Sequence, residues 1–153
     1  MIEYTVRVYD NRTEWYRNDK LHREDGPAVE YANGSKFWYR NGKYHREDGP
    51  AIEYASGNKF WFRNGKLHRE DGPAIEYANG DKYWYLDGKY HREDGPAIEF
   101  ANGYERKNGY KAWYLDGNNY SELDYNKEMA KRNNTCNGKI VEIDGKKYQL
   151  TAI

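Results

Sequence analysis

Residues 41–63 read NGKYHREDGPAIEYASGNKFWFR, and the fold follows from this stretch because the chain repeats it. The same pattern occupies residues 18–40 and 64–86, and a fourth copy spans 87–115 with six additional residues. We number these copies units 1 to 4 in chain order. A fixed period of roughly 20–50 residues is typical of arrays in which each unit buries its face on the next one.

Tryptophan and histidine keep the period of 23 residues strictly. The positions are Trp15, Trp38, Trp61 and Trp84, and then His22, His45, His68 and His91, which are all the histidines of the chain. Residues 5–17 align with the end of a unit and form a degenerate half-unit ahead of the array. The array therefore begins close to the N-terminus.

Each unit has the pattern of a β-hairpin. In unit 1, residues 28–31 and 36–40 both alternate, and Trp38 faces away from its two aromatic neighbours. Asn33-Gly34 between them is a strong hairpin signal, because a type I′ turn requires positive φ at both central residues. All four prolines follow Asp-Gly, where each opens a strand. The sequence predicts an all-β fold, an elongated antiparallel meander of about ten short strands in a single sheet.

Composition restricts the classes of function. The 153 residues include 25 Lys plus Arg and 25 Asp plus Glu, so the net charge is zero and bulk-charge binding of double-stranded nucleic acid is not expected. The 26 aromatic residues predict a thin, aromatic-rich core rather than disorder. We expect no membrane span and no signal peptide. With Cys136 as the single cysteine, a cytoplasmic protein is the favoured interpretation.

The end of the chain departs from the repeat. We therefore divide the chain into a repeat array, residues 1–117, and a capping segment, residues 118–153. The capping-box pattern SELD predicts a helix over about residues 121–132 that ends at Asn-Asn. A terminal hairpin should pair Val141 with Tyr148. We expect this segment to cap the open end of the array, and the alternative is dimerisation or docking of a partner.

The segment WYRNGK at residues 38–43 resembles the Trp and Gly-Lys core of MORN repeats, whose unit has the same length and is also a β-hairpin. The segment WYLDGKYHREDGPA at 84–97 is more similar still to a divergent MORN-like repeat of large bacteriophages and giant viruses. The resemblance covers about residues 5–117. It implies a non-enzymatic array that binds proteins and, for a phage version, a host-takeover or counter-defence inhibitor in the bacterial cytoplasm. HREDGPA replaces the second glycine-rich stretch of ordinary MORN repeats, so their lipid binding is not carried over.

The repeated histidines and carboxylates do not indicate a metal site or an active site. Equivalent residues of successive hairpins lie two strands, or about 10 Å, apart. A zinc ion holds its ligands at about 2.0–2.3 Å, so two of these histidines cannot share one. The HRED block contains groups suited to acid–base catalysis, but it occurs four times, whereas an active site needs one pocket. We expect no cofactor, no metal and no enzymatic activity.

The HREDGPA block has a structural and a functional interpretation. In the structural one, Arg23 pairs with Glu47 or Asp48 of the next unit, and His22 hydrogen-bonds a turn carbonyl. In the functional one, rows of Trp and Arg form a protein-binding surface, because these residue types are enriched at interface hot spots. The predicted binding residues in these rows are Trp38, Trp61, Trp84, Arg46, Arg69 and Arg92.

The sequence leaves three questions about binding open. The tryptophan row faces either a groove or a covered core. The ligand is either a protein or a small anionic nucleotide-like molecule, which the chain would sequester as a sponge. If the ligand is a protein, the resemblance favours one of the host bacterium. Single-stranded nucleic acid ranks third because the charge is balanced. An open N-terminal edge strand, residues 2–8, would also permit a homodimer.

The six-residue expansion of unit 4 is the most individual feature of the array. Insertions in repeats map to protruding loops, often on the binding side. We therefore also predict a specific contact at Tyr104, Arg106 and Lys107.

Overall fold

The computed structural model describes residues 3–101, 109–136, 140–143 and 146–149. These residues form twenty short strands and one helix. In chain order they are β1 (Thr5–Tyr9), β2 (Arg12–Arg17), β3 (Lys20–Leu21), β4 (Val29–Tyr31), β5 (Lys36–Phe37), β6 (Tyr39–Arg40), β7 (Lys43–Tyr44), β8 (Ile52–Glu53), β9 (Lys59–Phe60), β10 (Phe62–Arg63), β11 (Lys66–Leu67), β12 (Ile75–Glu76), β13 (Lys82–Tyr83), β14 (Tyr85–Leu86), β15 (Lys89–Tyr90), β16 (Ile98–Glu99), β17 (Lys111–Leu115), β18 (Asn118–Tyr120), α1 (Glu122–Cys136), β19 (Ile140–Ile143) and β20 (Lys146–Gln149).

The main sheet is an antiparallel meander. Its strands follow the order β1-β2-β4-β5-β8-β9-β12-β13-β16-β17-β18, and β3 pairs with β2 outside this path. This order confirms the predicted all-β meander of hairpins. Each unit adds one hairpin to the path, so equivalent residues recur every second strand.

The register gives the sheet two different faces. On one face Lys36 lies opposite Glu30 on one side and Glu53 on the other, and this alternation of charge continues along the sheet. On the other face Phe37 lies opposite Val29 and Ile52. Opposite charges that face each other across strands stabilise the pairing, which explains the regular Glu and Lys of each hairpin.

The prediction of one sheet is wrong, because the strand expected over residues 36–40 divides at Trp38. The Trp38 N–H donates to the Ala51 carbonyl at 2.7 Å, and its carbonyl accepts from the His45 N–H at 3.1 Å. After Trp38 the chain leaves the main sheet, and β6 pairs with β7 in a separate two-stranded ladder. The pairs β10–β11 and β14–β15 repeat this arrangement. Each small hairpin thus joins one unit to the next.

The type I′ turns close these small hairpins, not the main ones. Asn41 and Gly42 have φ values of 52° and 77°, as a type I′ turn requires. At Asn33-Gly34 only the glycine has positive φ, and its N–H donates to the Tyr31 carbonyl at 2.9 Å. This is a three-residue hairpin loop with glycine in the left-handed position, so the turn predicted there is corrected.

The core is aliphatic rather than aromatic. Within the described residues each unit buries one alanine completely and one branched aliphatic residue next to it: Ala28, Ala51, Ala74 and Ala97, then Val29, Ile52, Ile75 and Ile98. Most aromatic rings instead form a half-buried ladder across the apolar face, in which neighbouring centroids such as Phe37 and Tyr54 lie 5.3 Å apart, edge to face. Such contacts stabilise the sheet without requiring full burial.

The helix α1 packs against β17 and β18 at the end of the sheet. The Ser121 hydroxyl accepts the Asp124 N–H at 3.1 Å, which confirms the predicted N-cap. The helix continues to Cys136, beyond the predicted end, since Asn interrupts a helix much less than Gly or Pro does. In the hairpin β19–β20, Val141 pairs with Tyr148 as predicted. In the described part of the chain, no helix has both the length and the apolar character that a bilayer crossing requires.

Candidate functional site

The HREDGP blocks form four equivalent loops along one side of the array. We define loops 1 to 4 as residues 23–27, 46–50, 69–73 and 92–96. In each loop the arginine lies over the tryptophan ring of the preceding unit or half-unit: the Arg46 guanidinium carbon is 4.0 Å from the centroid of Trp38, and the three other pairs lie at 3.9–4.2 Å. The predicted Trp and Arg rows are therefore brought together as stacked pairs.

The arginine of each loop is bound by its own unit. Arg46 donates through Nε to Asp48 at 2.9 Å and through Nη1 to Glu53 at 2.9 Å and to the Pro50 carbonyl at 3.3 Å. About a fifth of its side chain is exposed. The predicted pairing of arginine with the carboxylates of the next unit is wrong, because stacking on the tryptophan turns the guanidinium back toward its own loop.

The same holds in loop 1, where Arg23 binds Asp25 and Glu30 rather than Glu47 or Asp48. The glycine of the loop makes room for this arrangement. A Cβ placed on Gly72 would lie 2.9 Å from Cζ of Arg69. The guanidinium is therefore held between the indole ring on one side and the glycine backbone on the other.

The histidine of each block fastens one unit to the next. The buried His22 accepts the N–H of Asn41 at Nδ1 over 3.1 Å, and Nδ1 is also 2.9 Å from the side-chain oxygen of Asn41. The predicted bond to a turn carbonyl is corrected, since the partner is the next type I′ turn itself. No group of three or more potential metal ligands is found among the described residues.

The carboxylates of the loops are the groups that face solvent. The Glu47 side chain is 71% exposed and that of Asp48 is 84% exposed, and Glu70 and Asp71 have the same values. Hydrogen bonds from His45 and then Arg40 lower the pKa of Glu47, and the bond from Arg46 lowers the pKa of Asp48. Both residues of each pair are therefore ionised at neutral pH.

We call this row of loops the acidic face. Its carboxylates are not among the site residues predicted from the sequence. One signal was available, because each block contains two adjacent carboxylates and only one arginine, and that arginine has a tryptophan to stack on. A row of stacked arginines leaves the carboxylates as the outer layer.

Three open grooves separate the four loops. Their volumes are about 530, 740 and 740 Å³ for the grooves between loops 1 and 2, 2 and 3, and 3 and 4. The middle groove is lined by residues of loops 2 and 3 and by Trp61, Arg63 and His68. Its walls thus present Glu47, Asp48, Glu70 and Asp71.

An anionic ligand does not suit these grooves. To bind Arg46 it would have to displace two carboxylates from the guanidinium, and it would approach past two further ones. Like charges at this distance repel one another. The nucleotide-like ligand considered from the sequence therefore has no free cation at the predicted arginines.

Among the other predicted site residues, the structure describes the three tryptophans but not the three residues of the expansion. Trp38, Trp61 and Trp84 are half-buried, with one ring face under arginine, so they belong neither to a covered core nor to an open aromatic groove. Tyr104, Arg106 and Lys107 lie outside the described residues.

Loop 4 differs from the others because α1 covers it. The Tyr125 hydroxyl donates to the Arg92 carbonyl at 2.9 Å and accepts the Gly95 N–H at 3.2 Å. Arg132 reaches Glu93 at 3.4 Å. In loops 1 to 3 the equivalent glutamate binds the arginine seven residues earlier, such as Arg63 for Glu70, but unit 3 has Leu86 at this position. The helix supplies the missing cation.

A scan against protein-family models and a search of curated proteins find no match to this chain.

Proposed function

We propose that this chain is a non-catalytic repeat protein that binds a protein partner through its acidic face. The observation that carries the proposal is the repeated pair of exposed carboxylates on loops 2 and 3, which line an open groove of about 740 Å³. Arg46 and Arg69, which pair with the two aspartates, are stacked on tryptophan within the array. The two glutamates pair with the half-exposed Arg40 and Arg63. The surface therefore favours a partner with a basic face.

The repetition of the loops supports a macromolecular partner. A partner that contacts one loop meets the next about 10 Å further along. Further contacts then form within the same complex, so weak single contacts combine into a stable one. The resemblance to phage repeats favours a protein of the bacterial host as the partner, with counter-defence as the biological result.

The test is a pair of conservative substitutions on the acidic face. Asp48→Asn with Asp71→Asn removes two charges but keeps an oxygen that accepts the hydrogen bond from each arginine. We expect this variant to bind the partner captured from a bacterial lysate about tenfold more weakly, since pairs of this kind each contribute up to about 1 kcal/mol. Raising the salt concentration should weaken wild-type binding as well.

A matched control changes the net charge equally away from the loops. Asp10→Asn with Ser56→Lys also raises the net charge by two, at exposed positions in other turns. This variant should bind as the wild-type chain does. If the loop variant keeps wild-type affinity, or if both variants lose it equally, the acidic face is not the binding surface.

A further inference from the structure

The tyrosine on loop 4 fills a specific notch. The notch consists of the arginine carbonyl and the glycine N–H three residues later, and the Tyr125 hydroxyl satisfies both. A neutral hydroxyl is the side-chain group that accepts one hydrogen bond and donates another at the same atom. The Tyr125 side chain is buried there, so the contact belongs to the packed interior of the protein.

Loop 1, at the other end of the row, also holds a tyrosine of the chain itself. The hydroxyl of Tyr4 accepts the N–H of Glu24 at 3.1 Å. Tyr4 thus contacts a different backbone group from the one that Tyr125 contacts in loop 4, and the N–H of Gly26 in loop 1 is also without a hydrogen-bond partner among the described residues. Within the described part of the chain, the N–H groups of Gly49 and Gly72 in loops 2 and 3 have no hydrogen-bond partner. The two central loops present the same notch, open to the grooves.

We propose that loops 2 and 3 each bind a tyrosine from one basic α-helix of the partner, in the way that loop 4 binds Tyr125 of α1. This inference rests on the proposed function and names the chemistry of its partner. The loops share their sequence and their internal geometry with loop 4, with the arginine over tryptophan at 4.0, 4.1 and 3.9 Å. Loops 2 and 3 can therefore bind a tyrosine hydroxyl as loop 4 does.

The chemistry of the notch selects tyrosine over the alternatives. A carboxylate or phosphate would face Asp48 and Asp71, which are largely exposed and ionised. Phenylalanine fits the groove but leaves both backbone groups without a partner, which is unfavourable when they are buried in a complex. Lysine or arginine next to the tyrosine pairs with the free oxygens of the aspartates.

The spacing of the loops fixes the spacing on the helix. Successive loops are two strands apart, or about 9.6 Å. Seven residues of an α-helix rise about 10.5 Å and return to nearly the same face. A helix that runs along the row therefore places tyrosines at positions i and i+7 over loops 2 and 3. Tyrosines five residues apart lie on different faces of the helix and reach one loop only.

The probe for this proposal is a synthetic helical peptide of about 20 residues, rich in alanine and lysine, with tyrosines seven residues apart. Its binding to the full chain is followed by NMR of the backbone amides. Saturable shifts are expected for Gly49 and Gly72. Gly95 is the internal control, because Tyr125 already occupies its notch, and it should not respond.

Two matched peptides sharpen the test. Replacing both tyrosines with phenylalanine should weaken binding at least about tenfold, since each hydroxyl loses two hydrogen bonds. Moving the second tyrosine to i+5 should also weaken binding about tenfold. The proposal is overturned if the phenylalanine peptide binds equally well, if the shifts fall elsewhere, or if no saturable binding occurs.

This outcome is separable from that of the proposed function. If Asp48→Asn with Asp71→Asn weakens capture of the natural partner while the tyrosine peptide does not bind, the acidic face binds by charge alone. In that case the tyrosine notch is rejected and the binding surface is retained. If the peptide binds but the aspartate variant keeps its natural partner, the proposed function fails instead.

Discussion

At the scale of single residues, the HREDGP block is a set of structural contacts that leaves its two carboxylates outside. Histidine binds the next turn, arginine stacks on tryptophan, aspartate and the proline carbonyl hold the guanidinium, and glycine makes room for it. Four identical blocks are therefore explained by four identical joints between units. The exposed charges that remain are what a partner meets.

Arg69 and Arg63 provide a test of this division between internal and surface arginine. Arg69→Lys keeps the charge but loses the planar stack on Trp61 and the forked hydrogen bonds. We expect it to lower the free energy of unfolding by about 1–2 kcal/mol, measured by urea denaturation. Arg63→Lys, at a half-exposed arginine that pairs with Glu70 and more distantly with Asp87, should change it by less than about 0.5 kcal/mol. Equal effects of the two substitutions would show that the stacked arginine has no special structural role.

At the scale of elements, α1 is fitted to the last loop of the array. It begins at the sequence position where a fifth loop would follow, since LDGNNYSELD at 115–124 aligns with LDGKYHREDG at 86–95. It brings the tyrosine to the notch of loop 4 and Arg132 to Glu93, whose usual partner is replaced by Leu86. The helix thus closes the acidic face at this end.

Tyr125→Phe isolates the contribution of the hydroxyl. The ring stays and two hydrogen bonds are lost at a buried site, so we expect a loss of about 1–3 kcal/mol in the free energy of unfolding. The amide of Gly95 should at the same time move toward the NMR positions of Gly49 and Gly72. Tyr110→Phe, at an exposed ring, is the matched control and should change stability little. An unchanged Gly95 amide would contradict the contact.

At the scale of the whole molecule, stability should be a sum over units and the joints between them. Each unit buries one alanine and one aliphatic residue, stacks one arginine and binds the following turn through one histidine. Contacts run between neighbours in the strand order, as in other repeat arrays. The length of the array is therefore adjustable in whole units.

Deleting unit 2, residues 41–63, should leave a folded protein. The chain rejoins Arg40 to Asn64, which restores a complete small hairpin, and one joint is lost. We expect a lower urea midpoint and a smaller denaturant dependence, because less surface is exposed on unfolding. Deleting residues 41–62 instead leaves one extra residue ahead of the turn, disrupts the two-residue turn and should prevent cooperative folding. An array that tolerates both deletions equally would not be held by this register.

The repeat, the hairpins, the antiparallel meander and the pairing of Val141 with Tyr148 were all predictable from the sequence. These features follow from local alternation and turn residues, which act over a few positions. The sequence did not specify where the strand divides at Trp38, or that Arg23 binds its own unit, or that His22 binds Asn41. In a strict repeat every candidate partner recurs after 23 residues with the same chemistry, so the sequence offers equal choices.

Packing in three dimensions selects one partner from these equal choices. Stacking on tryptophan turns each arginine toward its own carboxylates, and that packing leaves the adjacent Glu and Asp exposed. The acidic face is therefore a consequence of three-dimensional packing in a chain whose net charge is zero. The notch on loop 4 likewise depends on α1 meeting a loop some thirty residues earlier in the chain, which no local pattern specifies.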